Sequence, residues 1–233
     1  MIRNTAVLAL HKTGLYQLVD MLRDHAQIGR LTKRTSLSQY GEDIFLQDHF
    51  KNRKGFYIDI GANHPVGGSN TYKLYQMGWV GLTVEPIRRF YEKQRRFRPL
   101  DIQVNAAVGD VAGSLTFYEM IPSVVSTCDS ELAKDTVSNR TGLVLKQYEV
   151  PVTTIAELCH RYVAPHTVSL LCVDVEGHDL AVLRGADWDK FRPEIIVAEA
   201  NEPEKECEID RFLHGKGYSR VRSFGGSLVY RAP

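Results

Sequence analysis

Residues 56–63 read FYIDIGAN, a short strand pattern that stops at Gly61. Similar apolar runs follow at residues 80–84, 102–108, 168–173 and 194–198, and helix-like stretches lie between most of them. Continuous apolar strands that alternate with helices are typical of a mostly parallel sheet buried on both faces. Two further runs, at 218–222 and 227–231, flank Gly225-Gly226 and predict a C-terminal antiparallel hairpin at the edge of this sheet.

An amphipathic helix is predicted ahead of this pattern, over residues 1–29. Leu15, Leu18, Val19 and Leu22 fall at i, i+3, i+4 and i+7, which places them on one stripe of a helix. We expect the stripe to pack on the domain or on a second subunit, as in a homodimer, and a membrane-surface helix is the alternative. The chain therefore divides into an N-terminal helical extension, residues 1–37, and one domain, residues 38–233.

The composition is that of an ordinary globular protein. The 233 residues include 29 Lys and Arg against 28 Asp and Glu, a formal net charge of +1, so no global charge attracts nucleic acid. No apolar run reaches the roughly 18–20 residues that span a bilayer, and we recognise no signal peptide. The four cysteines form no C-x-x-C pair, which favours a cytoplasmic setting without a zinc site or a disulfide framework.

Three stretches between the strands need separate interpretation. The helix predicted over residues 88–97 carries six basic residues up to Arg98, which form either a solvated helix face or a docking site for an acidic substrate or an anionic membrane. Residues 114–119 predict a short antiparallel addition to the sheet. Residues 122–142 lack periodicity and are rich in Ser, Thr and Asp, so we expect an irregular loop that covers the substrate.

An acid or an amide follows each of the five predicted strands. Ligands bind at the carboxyl ends of parallel strands, and helix capping alone does not require such a residue after every strand. The sequence therefore predicts a ligand site built from Asp59, Gly61 and Asn63 after the first strand, Glu85 after the second, Asn105 and Asp110 after the third, Asp174 and Glu176 after the fourth, and Glu199 and Asn201 after the fifth.

The turn after the first strand indicates the kind of ligand. A dinucleotide site uses the glycines of G-x-G-x-x-G to bring the backbone close to a pyrophosphate. Here only the first glycine, Gly61, is present, and Asn63 and Pro65 follow it. The carboxylate of Asp59 would repel phosphates and suits a cationic amine, such as the methionine part of S-adenosylmethionine. Glu85 is placed to accept hydrogen bonds from two ribose hydroxyls, which serves any adenosine ligand.

Several motifs, in this order along the chain, resemble the FkbM-type methyltransferases. They are DIGAN at 59–63, GWVG at 78–81, VEP at 84–86, VDVEGHDLAVLRG at 173–185, Arg192-Pro193 and Glu199, and SQYGED at 38–43 resembles a subgroup associated with bacterial polysaccharide and glycan synthesis. The resemblance implies a Rossmann-like class I methyltransferase fold, with a mostly parallel seven-stranded sheet and helices on both faces. It also implies S-adenosylmethionine as the donor and a hydroxyl of a sugar, a glycan or a polyketide-like small molecule as the acceptor.

The resemblance also implies roles for individual residues. Asp59, Gly61 and Asn63 would line the methionine and ribose of the donor, and Glu85 would hold the ribose. The residues that would flank the adenine are Asn105, Ala106 and Ala107. Asp174 would lie near the sulfonium and the acceptor, and Gln39 and Tyr40 would close over the cofactor.

A sugar hydroxyl has to lose or share its proton before it attacks the methyl group, and two routes are open. In the first, a general base takes the proton: His178, which follows the candidate catalytic residues Asp174 and Glu176, is the leading candidate, and His64 is the second. In the second, Mg²⁺ lowers the pKa of the hydroxyl, held by Asp174, Glu199 and Asn201 in a layout that resembles catechol-type O-methyltransferases. The acceptor itself is expected to bind Ser123, Ser126, Thr127 and Asn201.

Two other functions fit parts of the pattern. A nicotinamide-dependent oxidoreductase is disfavoured by the broken glycine pattern at Asn63 and Pro65. A non-catalytic module that binds an adenosine ligand would have no need of the acids Asp174, Glu176 and Glu199.

Overall fold

The computed structural model describes residues 30–31, 34–163, 166–200 and 206–233. The predicted N-terminal helix over residues 1–29, with its subunit contact, and Asn201 lie outside the described residues. The strands are β1 (Phe56–Ile60), β2 (Val80–Val84), β3 (Ile102–Val104), β4 (Ala107–Val108), β5 (Gly113–Ile121), β6 (Leu143–Thr153), β7 (Val168–Val173), β8 (Ile195–Glu199), β9 (Ser219–Phe224) and β10 (Ser227–Arg231). The helices are α1 (Glu42–His49), α2 (Tyr72–Gln76), α3 (Arg88–Phe97), α4 (Ser130–Ser138), α5 (Ile155–Leu158), α6 (Asp179–Arg184) and α7 (Glu208–Gly215), with a 3₁₀ turn at Ser123–Val125 and a π-helical turn at Cys159–Val163.

The main sheet has seven strands in the order β3-β2-β1-β7-β8-β10-β9. Neighbours from β3 to β8 are parallel, and β10 is antiparallel to both β8 and β9. This confirms the predicted Rossmann-like class I arrangement, mostly parallel with a C-terminal antiparallel hairpin. The hairpin forms one edge of the sheet, as predicted: β10 lies between β8 and β9 and pairs antiparallel with both. The edge strand β9 consequently runs in the same direction as the parallel strands.

Helices cover both faces of the main sheet because the side chains of β1 alternate between two apolar clusters. Ile58 and Ile60 pack with Val182 of α6 in one cluster. Tyr57, between them, packs on the opposite face with Leu46 of α1. A strand buried on both faces needs apolar residues at nearly every position, and β1 is buried along its whole length.

A second sheet, in the order β4-β6-β5, was not predicted. The strand predicted over 102–108 breaks at Asn105, whose side-chain amide donates to the backbone oxygens of Glu85 and Pro86 at 2.8 and 2.9 Å. Residues 107–108 then pair with β6 rather than with β2. Residues 114–119 belong to β5, which pairs antiparallel with β6 and does not extend the main sheet.

The predicted irregular loop over residues 122–142 is partly helical. Asp129 caps α4, because its Oδ1 accepts hydrogen bonds from the backbone nitrogens of Glu131 and Leu132 at 2.8 and 3.1 Å. Every helix in the described ranges is too short or too polar to span a bilayer.

Candidate functional site

A cavity of about 500 Å³ opens where β1, β2 and β7 end. The register places these ends level: the backbone nitrogen of Gly61 donates to Val84 O, and that of Asp174 donates to Ile60 O, both at 3.0 Å. The opposite wall comes from the second sheet and the segment that follows β5. The cavity brings together thirteen of the predicted site residues: Gln39, Asp59, Gly61, Asn63, Glu85, Ala106, Ala107, Asp110, Ser123, Ser126, Asp174, Glu176 and His178.

The turn after β1 is shaped by Gly61 and Asn63, which both have left-handed backbone angles with φ of 78° and 42°. A Cβ on Gly61 would lie 1.8 Å from the backbone oxygen of Asp174, so only glycine fits there. The turn is held from two sides. Asn63 N donates to Oε2 of Glu85 at 2.8 Å, and Nε2 of Gln94 donates to the backbone oxygens of Ala62 and Asn63 at 3.2 and 3.1 Å.

Glu85 ends β2 with a buried carboxylate that faces the cavity. Its Oε2 accepts the Asn63 bond, and its Oε1 accepts a hydrogen bond from Ile87 N at 2.7 Å. Burial raises the pKa of Glu85 to about 7, although these two backbone bonds favour the ionised form and oppose the rise. Each carboxylate oxygen has two lone pairs, so both oxygens can still accept a ligand hydroxyl.

Asp59 lies beside this turn and is also buried. The hydroxyl of Thr71 donates to its Oδ2, and Nη1 of Arg98 lies 3.8 Å from the same oxygen. Burial raises the pKa of Asp59, and the charge of Arg98 together with the Thr71 hydrogen bond opposes this. The oxygen that these groups engage is Oδ2, which leaves Oδ1 for a cationic ligand.

Three carboxylates, from Asp174, Glu176 and Glu199, meet at the ends of β7 and β8. One ligand oxygen from each lies within 4.8 Å of the others. Asp174 is exposed within the cavity, and desolvation by the surrounding protein together with the charge of Glu199 raises its pKa to about 8. Burial and the neighbouring acids raise the pKa of Glu176 to about 9, and burial with the charge of Asp179 raises that of Glu199 to about 7. Like charges this close favour either a retained proton or a bound cation.

His178 precedes α6 and lines the cavity. Its Nε2 is buried and has no hydrogen-bond partner among the described residues. The pKa of Asp129 is lowered first by hydrogen bonds from the backbone nitrogens of Leu132 and Glu131, and the charge of His178 adds to this lowering. A buried nitrogen without a partner is unusual in a native protein, and this one can accept a ligand proton.

Several predicted site residues do not line the cavity. Nδ1 of His64 accepts hydrogen bonds from the backbone nitrogens of Val66 and Gly67 at 3.2 and 2.9 Å, so it supports a turn, and the lone pair that a base would use is engaged. Tyr40 is 49% exposed, and its ring lies against Gly225. Asn105 holds the backbone after β2, as described above. Thr127 donates to the backbone oxygen of Glu176 at 2.9 Å, and Glu199 faces a smaller neighbouring pocket.

The sequence reasoning missed the apolar wall that the second sheet contributes. Leu115 and Phe117 of β5 and Val152 of β6 line the cavity. Leu115 and Phe117 are two residues apart in a run that reads GSLTFYEMI. That alternation signals a strand with one buried face, and it marks which side chains point inward once the pairing with β6 is known.

Comparisons with known proteins identify one family and two solved structures that this chain resembles. The family model described as "Methyltransferase FkbM domain" matches residues 59–220. A TehB-like SAM-dependent methyltransferase from Corynebacterium glutamicum aligns with 12% identity over 91% of this chain and 97% of its own, at a TM-score of 0.41. A 1,6-didemethyltoxoflavin-N1-methyltransferase from Burkholderia thailandensis, solved with 1,6-didemethyltoxoflavin and S-adenosylhomocysteine, aligns with 11% identity over 95% and 89% of the two chains, at a TM-score of 0.42. No curated protein matches the chain.

Proposed function

The chain belongs to the FkbM methyltransferase family, whose members use S-adenosylmethionine, and we propose that it methylates a hydroxyl oxygen of a sugar, a glycan or a related natural product. The observation that carries this proposal is the cavity at the ends of β1, β2 and β7. Two carboxylates suited to a donor, Asp59 and Glu85, line this cavity together with His178, whose Nε2 has no hydrogen-bond partner among the described residues.

The chemistry of the lining residues fits S-adenosylmethionine. The carboxylate of Asp59 suits the cationic amine of the methionine part, and the free lone pairs of Glu85 suit the two ribose hydroxyls. Ala106 and Ala107 leave room for a flat adenine against the apolar wall. Asn63 stands where a dinucleotide site would need its second glycine, and Pro65 follows in the same turn, which disfavours a nicotinamide cofactor.

The acceptor is proposed to bind at the end of the cavity formed by Ser123, Ser126 and His178. Oγ of Ser126 accepts a hydrogen bond from Met120 N at 2.9 Å, so its own proton remains available for an acceptor oxygen. No described Lys or Arg lines the cavity, whereas five carboxylates do: Asp59, Glu85, Asp110, Asp174 and Glu176. The site therefore favours an uncharged or amine-bearing acceptor over one that carries phosphate or carboxylate.

In the proposed reaction, bound S-adenosylmethionine supplies a methyl group that is already activated by its sulfonium. Nε2 of His178 accepts the hydroxyl proton as the acceptor oxygen forms its bond to the methyl carbon and the carbon–sulfur bond breaks. The electron pair of that bond remains on sulfur. The charge of Asp129, which interacts with that of His178, would favour the protonated imidazole, and Asp174 would orient the acceptor.

A second route to the same product uses Mg²⁺, and the meeting of Asp174, Glu176 and Glu199 favours it. Carboxylate oxygens are the ligands that Mg²⁺ prefers, and the ion would lower the pKa of the acceptor hydroxyl. Glu176 lies beside the predicted metal ligands Asp174 and Glu199, and Asn201 would be the remaining predicted ligand. A chelator decides between the routes: turnover that persists in EDTA assigns proton removal to His178, and turnover restored by Mg²⁺ alone assigns it to the metal.

The donor site is tested by titration calorimetry with S-adenosylhomocysteine, on the wild type and on Asp59→Ala and Glu85→Ala. We expect micromolar binding that both substitutions abolish. Absence of binding by folded, ligand-free wild type would contradict the proposal. A protein that binds the donor but transfers no methyl group to any sugar, glycan or related hydroxyl would instead be the non-catalytic adenosine-binding module.

Three further parts of the proposal concern the whole chain. We propose that residues 1–37 form a helical extension to the domain of residues 38–233, that this extension contacts a second copy in a homodimer, and that the protein acts in the cytoplasm. Sedimentation of the full chain against a chain starting at Ser38 tests the first two, since only the full chain should sediment as a dimer.

A further inference from the structure

The helix α3 has two faces of opposite character. Arg95 and Arg96 are exposed, as the interpretation of a solvated basic face requires. Phe90, Gln94 and Arg98 follow one another at intervals of four residues, which places them on one stripe, and all three are buried. Arg98 is 0% exposed. Its inclusion in a basic surface patch was therefore wrong, and a fully buried guanidinium needs a set of partners.

The partners of Arg98 lie directly beneath the proposed donor site. Its Nε donates to Oδ2 of Asp101 at 2.8 Å. Its Nη2 donates to the hydroxyl oxygens of Tyr57 at 2.6 Å and Thr71 at 2.8 Å. The hydroxyl of Thr71 in turn donates a hydrogen bond to Oδ2 of Asp59, so one chain of hydrogen bonds runs from Arg98 through Thr71 to Asp59.

The charges in this group do not cancel. One guanidinium, that of Arg98, faces the two carboxylates of Asp101 and Asp59. Asp101 is saturated by protein donors, because it also accepts hydrogen bonds from Tyr57 and from the backbone nitrogen of Gly81. Asp59 alone opens onto the cavity. The group therefore presents one net negative charge to the cavity, at a single oxygen whose direction Thr71 fixes.

We propose that Arg98, acting through Thr71, is a positioning residue that holds the Asp59 carboxylate charged and aimed at the amine of the methyl donor. The inference rests on the proposed donor site. Burial alone would favour a protonated Asp59, which could not pair with an ammonium group. The buried arginine supplies the opposing charge from the side that the ligand does not reach.

The inference separates two parts of the donor. S-adenosylhomocysteine carries the amine, whereas 5′-methylthioadenosine has the same adenosine and thioether but no amine. Thr71→Val preserves the side-chain shape and removes the hydrogen bond to Asp59, and Arg98→Lys keeps the charge but loses the fork of donors. We expect each variant to bind S-adenosylhomocysteine about tenfold more weakly, the effect of one hydrogen bond to a charged group, and to bind 5′-methylthioadenosine as the wild type does.

Two controls distinguish positioning from loss of structure. Gln94→Met removes the support of the turn backbone and should weaken both ligands in equal proportion, and Arg95→Ala on the exposed face should change neither. Asp59→Asn combined with Thr71→Val should bind S-adenosylhomocysteine no more weakly than Asp59→Asn alone.

The outcomes are distinct. A wild type that binds neither ligand overturns the donor site itself. A wild type that binds both, with a folded Thr71→Val variant that weakens both equally or neither, overturns the role of Arg98 and leaves the donor site standing. If Arg98→Lys does not fold, Thr71→Val carries the test.

Discussion

Gly61→Ala tests the close approach of β1 to the turn after β7, on which the whole cavity depends. The added Cβ would lie 1.8 Å from the backbone oxygen of Asp174, although ordinary contact begins at 3.4 Å. The two backbones would have to separate by about 1.6 Å, the difference between these distances. Such a shift breaks the bond between Asp174 N and Ile60 O, and an unmade buried backbone bond costs about 1–3 kcal/mol.

The left-handed angle of Gly61 adds a second cost, which Gly41→Ala measures separately. Gly41 also has a positive φ, of 94°, but a Cβ there would meet nothing within 4 Å. We expect Gly41→Ala to lower the free energy of unfolding by about 1 kcal/mol. Gly61→Ala should lower it by roughly 2–4 kcal/mol, the sum of the angle and the lost bond.

Urea denaturation of the two variants beside the wild type gives both free energies of unfolding. Calorimetry with S-adenosylhomocysteine, at urea-free conditions where Gly61→Ala remains folded, should show that binding is lost in this variant and kept in Gly41→Ala. If the two variants unfold within about 1 kcal/mol of each other, or if Gly61→Ala binds the ligand normally, the argument from strand-end contact is refuted.

Four further predictions address the acceptor side and the ionisable groups. His178→Gln should lower kcat by about 10²–10⁴-fold and leave the Kd for S-adenosylhomocysteine unchanged; an unaltered kcat excludes it as the base. Burial raises the pKa of Glu85 to about 7, so the folded state binds this proton more tightly than the unfolded state does. The free energy of unfolding should therefore fall as pH rises from about 4.5 to 7. Urea titrations at each pH should show a smaller fall for Glu85→Gln. Among matched sugars that carry an amine, no charge or a carboxylate, the carboxylate form should have the lowest kcat/KM, and equal values would discount the acidic lining. Thr127→Val, which cuts the bond to the backbone oxygen of Glu176, should raise the acceptor KM and spare donor binding; equal loss of both would show a general structural defect.

The main sheet could be predicted from the sequence because its strands are short and apolar. A run such as VSLLCV at residues 168–173 has few alternatives once it is buried on both faces. The second sheet could not be predicted in the same way. β6 is largely exposed, its residues are mixed in polarity, and its pairing with β5 joins segments about thirty residues apart. Such a pairing depends on tertiary contact rather than on local pattern.

In the candidate site, too, some residues could be predicted from the local strand pattern, and others depend on tertiary contacts. Asp59, Glu85 and Asp174 could be placed together because each ends a parallel strand, and those ends share one edge of the sheet. Arg98 could not be placed, because residues 88–98 are rich in charge, and nothing in that run distinguishes the one guanidinium that turns inward. Its spacing of four residues from Gln94 is a signal only when the buried face of α3 is already known.

The turn that carries Glu176 and His178 follows β7 and contacts the segment after β5. Glu176 and Gly177 both have left-handed angles, with φ of 53° and 98°, an arrangement that is costly at a glutamate and needs support from elsewhere in the fold. That support comes from the segment after β5, where Thr127 bonds the Glu176 oxygen and Leu132 lies against Gly177. The main sheet alone accounts for the strand ends that form the proposed donor site. The orientation of the proposed base towards an acceptor depends in addition on the segment after β5, so changes in residues 122–132 can alter acceptor choice while the proposed donor half of the cavity stays intact.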